Sequence, residues 1–240
     1  MEFFSERMDG KGGPVYGVGA VSELKRHPVY HPPLGDLDRQ VYTLNPLNAQ
    51  LNYVDTPKQE LREFFGRFQS GLIARTQILA DFVRTDERFA SWTPDLTAAS
   101  LEPLGAWFMS NVQIRPCTEA EMFAMASKLP YASEVSKSTL TDQTYSIAAD
   151  IGIYFARVLM RLHPHLQWQL PLGSKHFVDY GQPVLRGFPT GALLNPVRIS
   201  TNVAYGIASG MPCASRLREL VDRWSSHAEA PHTGSQGQGS

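Results

Sequence analysis

A chain of 240 residues with 42% hydrophobic and 19% charged content can bury a sizeable core, which excludes a disordered or fibrous protein. Its 22 basic and 23 acidic residues leave a net charge of −1, too little field to recruit nucleic acid or an anionic membrane. Two cysteines, Cys117 and Cys213, far apart along the chain, suit reduced thiols better than a disulfide framework.

The N-terminal stretch MEFFSERMDGKGG lacks the basic and apolar regions of a signal peptide, and no apolar run reaches the ~18 residues of a membrane span. A cytoplasmic chain without a membrane partner is the expectation. Pro14, Pro28, Pro32 and Pro33, with Gly10, Gly12, Gly13, Gly17, Gly19 and Gly35, break regular elements, so residues 1–39 read as an irregular arm. Within it, His27 and His31 have the spacing of paired zinc ligands, but the flanking prolines make the segment extended and no CxxC completes a site. Gly10-Lys11-Gly12-Gly13 and Gly17-Val18-Gly19 match neither a phosphate loop nor a dinucleotide fingerprint. The β propensity of Val41 and Tyr42 predicts a short strand over 40–44.

Thr56-Pro57-Lys58-Gln59 predicts a helix start, with Thr56 as N-cap, Pro57 at the first helical position and Gln59 completing a capping box. Leu61, Phe65, Phe68, Leu72, Leu79 and Val83 form its apolar face, widened by Phe64 and Ile78, to about Thr85. A second helix follows Trp92-Thr93-Pro94-Asp95, with Leu101, Leu104, Phe108 and Val112 on its face and Pro103 as an internal irregularity. Thr118-Glu119-Ala120-Glu121 is a capping box for a third, ending near Leu129, and residues 130–141 read as a polar connection. From Asp142 to Leu162, Ile147, Ile151, Tyr154, Val158 and Leu162 fall within roughly 80° of arc at ~100° per residue, and Pro164 ends this helix. Trp168–Leu172 and Gln182–Phe188 read as strands, separated by a turn at Gly173-Ser174. Asn195-Pro196 opens a helix to about Ser209, and Ser215–Ser226 is the last, before a Gly-rich polar tail.

Chemistry-bearing residues are few. Cys117 sits at a helix start, where the dipole stabilises a thiolate, but a nucleophile needs a histidine beside it. His163, His165 and His176 lie at a helix end and a turn, where the helix dipole accounts for them without a metal. No G-x-S-x-G occurs. Asp150 shares a helical stripe with Arg157 and Arg161, and a carboxylate there is costly to bury unpaired, so an arginine from a neighbouring element is the expected partner. The loop containing Lys175, His176, Phe177, Asp179, Tyr180 and Gln182, with Trp168 before it, is the main candidate recognition surface. No catalytic, cofactor-binding or metal-binding residue is assigned.

The segments Ser100–Phe108, Asp150–Phe155, Leu166–Trp168, Gln182–Leu185 and Leu194–Pro196 together resemble a loose bacterial group of domain-of-unknown-function proteins. Some members of that group resemble immunity proteins of polymorphic toxin systems. The resemblance covers residues 90–210 and implies an α+β fold and a non-enzymatic role. It transfers no catalytic residue.

The expected architecture is α+β, several long helices packed on a small, mostly antiparallel sheet, as one domain over residues 40–226 with a flexible tail at 227–240. The expected role is a bacterial interaction protein, immunity-like, whose partner is another protein. Two alternatives stand: a small-ligand binder or enzyme with a pocket near Asp150, Tyr154 and Asp179, and a subunit of a larger complex.

Overall fold

In the computed structural model, the structure describes residues 7–8, 14–15, 42–45, 52–127, 136–211 and 214–229. In chain order the elements are β1 (Arg7–Met8), β2 (Pro14–Val15), α1 (Lys58–Val83), α2 (Leu101–Asn111), β3 (Ile114–Pro116), α3 (Glu119–Ala126), β4 (Ser138–Leu140), α4 (Asp142–Leu162), β5 (Gln167–Gln169), β6 (Val184–Arg186), α5 (Pro196–Ala208) and α6 (Arg216–Glu229). The fold is α+β. Among the described residues its strands form three separate antiparallel pairs, β1–β2, β3–β4 and β5–β6, the last being the small antiparallel sheet expected.

The core is built around α4. Thr141 caps it by accepting from the Thr144 amide, and every residue from Ser146 to Ala156 is buried, the pattern of a helix surrounded on all sides. Small residues permit that enclosure. A Cβ on Gly152 would sit 2.7 Å from the Pro196 carbonyl oxygen and 2.8 Å from Val197 Cα, so α5 crosses α4 backbone to backbone there. Asn195 starts α5 by accepting from the Arg198 amide, with Pro196 at the first helical position where its missing N–H is harmless. On other sides α4 meets α1 and α6, while α6 also packs on α2. At that second contact a Cβ on Gly105 would run into the Ala214 carbonyl. In β5–β6, Trp168 faces Leu185, and Leu185 also bridges to Leu194, which leads into α5. Phe68 of α1 packs edge-on against Trp168, with ring centroids 4.8 Å apart.

Several local expectations change. α1 begins at Lys58, one residue late: the Thr56 hydroxyl turns back to the Asn52 carbonyl and Gln59 bonds to Glu63, so no capping box forms. Pro103 lies in the first turn of α2, where no N–H is needed, and causes no irregularity. The α3 capping box forms as predicted through Thr118 and Glu121, but the helix stops at Ala126 and none of its residues is buried. The polar connection contains β4, which pairs Leu140 with Ile114. Residues 42–45 form no strand. α6 runs to Glu229, into the stretch expected to be tail, because Trp224 and Ala228 are buried. The candidates His27, His31, Gly10–Gly13, Gly17–Gly19 and Cys213 lie outside the described residues. No helix among the described residues is long and apolar enough to cross a membrane.

Candidate functional site

Asp150 is at the centre of α4 with 0% exposure. A buried carboxylate needs donors for its lone pairs, and four converge on it. Oδ1 accepts from Asn45 Nδ2 at 2.6 Å and from Arg75 Nε at 2.9 Å; Oδ2 accepts from the Tyr42 hydroxyl and Arg75 Nη2. Burial pushes the Asp150 pKa up, and Arg75, Tyr42 and Asn45 pull it back. Burial, then the neighbouring carboxylate, pushes the Tyr42 phenol far above its usual range, so it acts as a donor. The expected arginine partner is therefore Arg75 of α1, not Arg157 or Arg161. Arg161 donates instead to the Asp95 carbonyl, and Arg157 is half-buried on the same helix. The stripe does not act as one group.

The predicted recognition loop is divided. Asp179 and Tyr180 are each 2% exposed. Asp179 accepts from Asn195 Nδ2 at 2.8 Å and Arg198 Nη2 at 3.0 Å, and the same Asn195 amide donates to Gln182 Oε1 at 3.0 Å. That set fastens the loop to the start of α5. The buried Tyr180 hydroxyl has no partner among the described residues. Only the first part of the loop faces outward, with Lys175, His176, Phe177 and Val178 exposed.

That outward part meets a second loop. Lys175 Nζ donates to the Val54 carbonyl, and Gly181, at φ +73°, lies against Tyr53 and Leu61 so closely that a Cβ would be 3.1 Å from both. Val54, Phe177 and Val178 are thereby displayed on adjacent loops at 43%, 36% and 54% exposure. Backbone bonds hold both loops: Asp55 and Thr56 amides to the Asn52 carbonyl, Phe177 to Ser174, Tyr180 to Phe177, and Gly181 to Pro171. These are apolar side chains on a braced support.

A third location is an open depression of about 330 Å³ lined by residues including Arg88, Trp92, Thr93, Asp95, Thr97 and Ser100. Leu96, between the lining residues Asp95 and Thr97, adopts φ +60°, uncommon for a branched side chain, and donates its amide to the Tyr154 hydroxyl, which also bonds Ser100. The Thr97 amide and hydroxyl hold the Asp95 carboxyl below its usual pKa. Asp150, Tyr154 and Asp179, the residues of the expected pocket, do not line this depression, and each is committed to a different set of protein groups.

Cys117 shows the opposite of an activated thiol, since burial and then Glu121 push its pKa up. His163 and His165 have ring centroids 6.0 Å apart, and no three His, Cys, Asp or Glu side chains gather as metal ligands among the described residues. Sequence reasoning missed Arg75, Asn45, Arg198 and Val54. For Arg75 a signal existed: it lies seven residues after Phe68 and four before Leu79, an arginine on the apolar stripe of α1. No family model, no curated protein and no solved structure matches this chain.

Proposed function

We propose that this protein is a non-enzymatic recognition protein of the bacterial cytoplasm that binds a protein partner, in the manner of the immunity proteins its sequence resembles. The observation that carries the reading is the braced apolar display of Val54, Phe177 and Val178. An apolar anchor already fixed in place loses little conformational freedom when a partner covers it, so more of its burial energy appears as affinity. Lys175 and His176 beside the anchors supply a polar rim.

The test compares wild-type protein with Val178→Asp and Phe177→Ala as immobilised bait in the native host, followed by co-purification with the product of the adjacent toxin-like gene where one exists. The expected result is one partner enriched by wild type and lost at least tenfold by Val178→Asp, with the helical circular-dichroism signal unchanged. Equal recovery by wild type and Val178→Asp, or recovery of nothing specific, removes this reading.

A further inference from the structure

Residues 42–45 are held as a bound peptide is held. Tyr42 and Asn45 are buried while Thr43 and Leu44 between them are exposed. The Tyr42 ring packs edge-on against Phe82 at 4.8 Å, and Arg75 lies over its face with Cζ 5.7 Å from the centroid. The Tyr42 hydroxyl and the Asn45 amide group both reach the Asp150 carboxylate. Arg75 Nη2 donates to the Thr43 carbonyl at 2.8 Å, Nη1 donates to the Leu44 carbonyl at 3.5 Å, and the Asn45 backbone amide donates to Ser146 Oγ at 3.1 Å. The segment's backbone is thus recognised by side chains of α1 and α4, not by strand pairing. Its receptor positions are remote in sequence: Ser146 and Asp150 lie more than 100 residues away.

The receptor is charged and has a link of its own. The Arg75–Asp150 ion pair joins α1 to α4 directly, and Phe82 packs at the edge of the core cluster that Tyr42 completes. A guanidinium that binds a carboxylate while its remaining N–H groups aim at two successive carbonyls is a reader of extended backbone. Asp150 and Ser146 then read a tyrosine hydroxyl and an asparagine three positions later. We infer that the crevice between α1 and α4, walled by Arg75, Phe82, Ser146 and Asp150, is a peptide-recognition site that the chain's own Tyr42–Asn45 occupies in cis. The ligand class is an extended segment carrying Tyr and Asn three positions apart. This site uses none of the residues of the Val54–Phe177–Val178 surface, so either can fail without the other.

A tethered segment competes at an effective concentration of roughly millimolar, which keeps a micromolar free peptide out of the wild-type crevice. Weakening the tethered copy removes that competition. The probe is a fluorescent synthetic peptide of residues 40–48, titrated by anisotropy against the full chain, against the full chain carrying Tyr42→Ala and Asn45→Ala, and against that double variant with Arg75→Gln added. The expected result is at least tenfold tighter binding to the double variant than to wild type, reversed by Arg75→Gln. A double variant that keeps its helical signal and shows no peptide binding overturns the inference.

If the double variant does not fold, hydrogen exchange on the wild-type chain decides. A segment that leaves and returns without global unfolding exchanges its Asn45 amide at least a hundredfold faster than the Ile151 and Tyr154 amides of α4. Exchange of all three at one common rate overturns the inference.

Discussion

Asp150 lies in the middle of α4, sealed from solvent and bound by groups from α1 and from residues 42–45, whereas Asp179 lies on the loop between β5 and β6. The arginines differ as well: the Arg75 side chain is 11% exposed and that of Arg198 is 26% exposed. In the first pair the guanidinium meets both carboxylate oxygens and two backbone carbonyls; in the second Arg198 makes a single bond to Oδ2 while the asparagine that caps α5 donates to Oδ1. An ion pair almost fully withdrawn from water is dangerous to half-remove, because the survivor is left charged and poorly solvated. A pair whose arginine reaches solvent can lose its acid and rehydrate. The same two residue types therefore serve as a cross-brace between distant segments in one place and as a loop fastening in the other.

The largest expected effect breaks the first pair. Asp150→Ala leaves Arg75 and Tyr42 facing an apolar hole, and urea denaturation should show a loss of about 3–5 kcal/mol. A loss below 1 kcal/mol would mean that the cross-brace is solvated in solution. Next comes the seam that supports the second pair. Gly152→Ala forces a methyl against the α5 backbone at Pro196 and Val197, an overpacking cost of about 1–3 kcal/mol only partly offset by better helix propensity. Thermal melting of this variant should come with weakened order at the Asn195 cap, visible as faster exchange of the Arg198 amide.

Asp179→Asn should cost less, about 1–2 kcal/mol, since the amide retains a hydrogen-bond acceptor and Arg198 can turn to water. If this variant proves as damaging as Asp150→Ala, solvent access to the arginine is not what separates the pairs. The smallest effect concerns pH. Burial holds His163 below its ordinary pKa of 6.5, against the upward pull of Glu229 and with a further downward push from His165. As pH falls, the unfolded chain takes up that proton before the folded one does. Stability contributed by neutral His163 is therefore complete above pH 6.5 and declines as pH drops from 6.5 toward the lowered folded value. His163→Gln should flatten melting temperature against pH over that window; an unchanged slope would place the sensitivity elsewhere.

Much of the scaffold was legible because its signals are local. The α4 boundaries at Asp142 and Leu162, the Thr118–Glu121 capping box and the Asn195-Pro196 start of α5 each depend on residues within one helical turn. The need of Asp150 for an arginine was legible too, since burial of a carboxylate demands one. Which arginine was not. Arg157 and Arg161 are near in sequence, but Arg161 reaches the Asp95 carbonyl instead, while Arg75 arrives from α1. Asp179 and Tyr180 read as exposed loop residues because polar and aromatic residues near a turn usually are; their burial follows from the loop folding onto α5.

The sequence by itself determined that these helices form, roughly where they lie and which of their faces are apolar, because capping, proline placement and periodicity act over a few residues; the start of α1 and the ends of α3 and α6 followed from packing and local bonds instead. The tertiary structure alone decided that Tyr42–Asn45 lies against Asp150, that β4 pairs with β3, and that Lys175 ties the loop of Phe177 and Val178 to Val54. Those outcomes depend on the crossing of α4 with α1 and α5, fixed by side-chain volumes at positions such as Gly152. That information is spread across the whole chain.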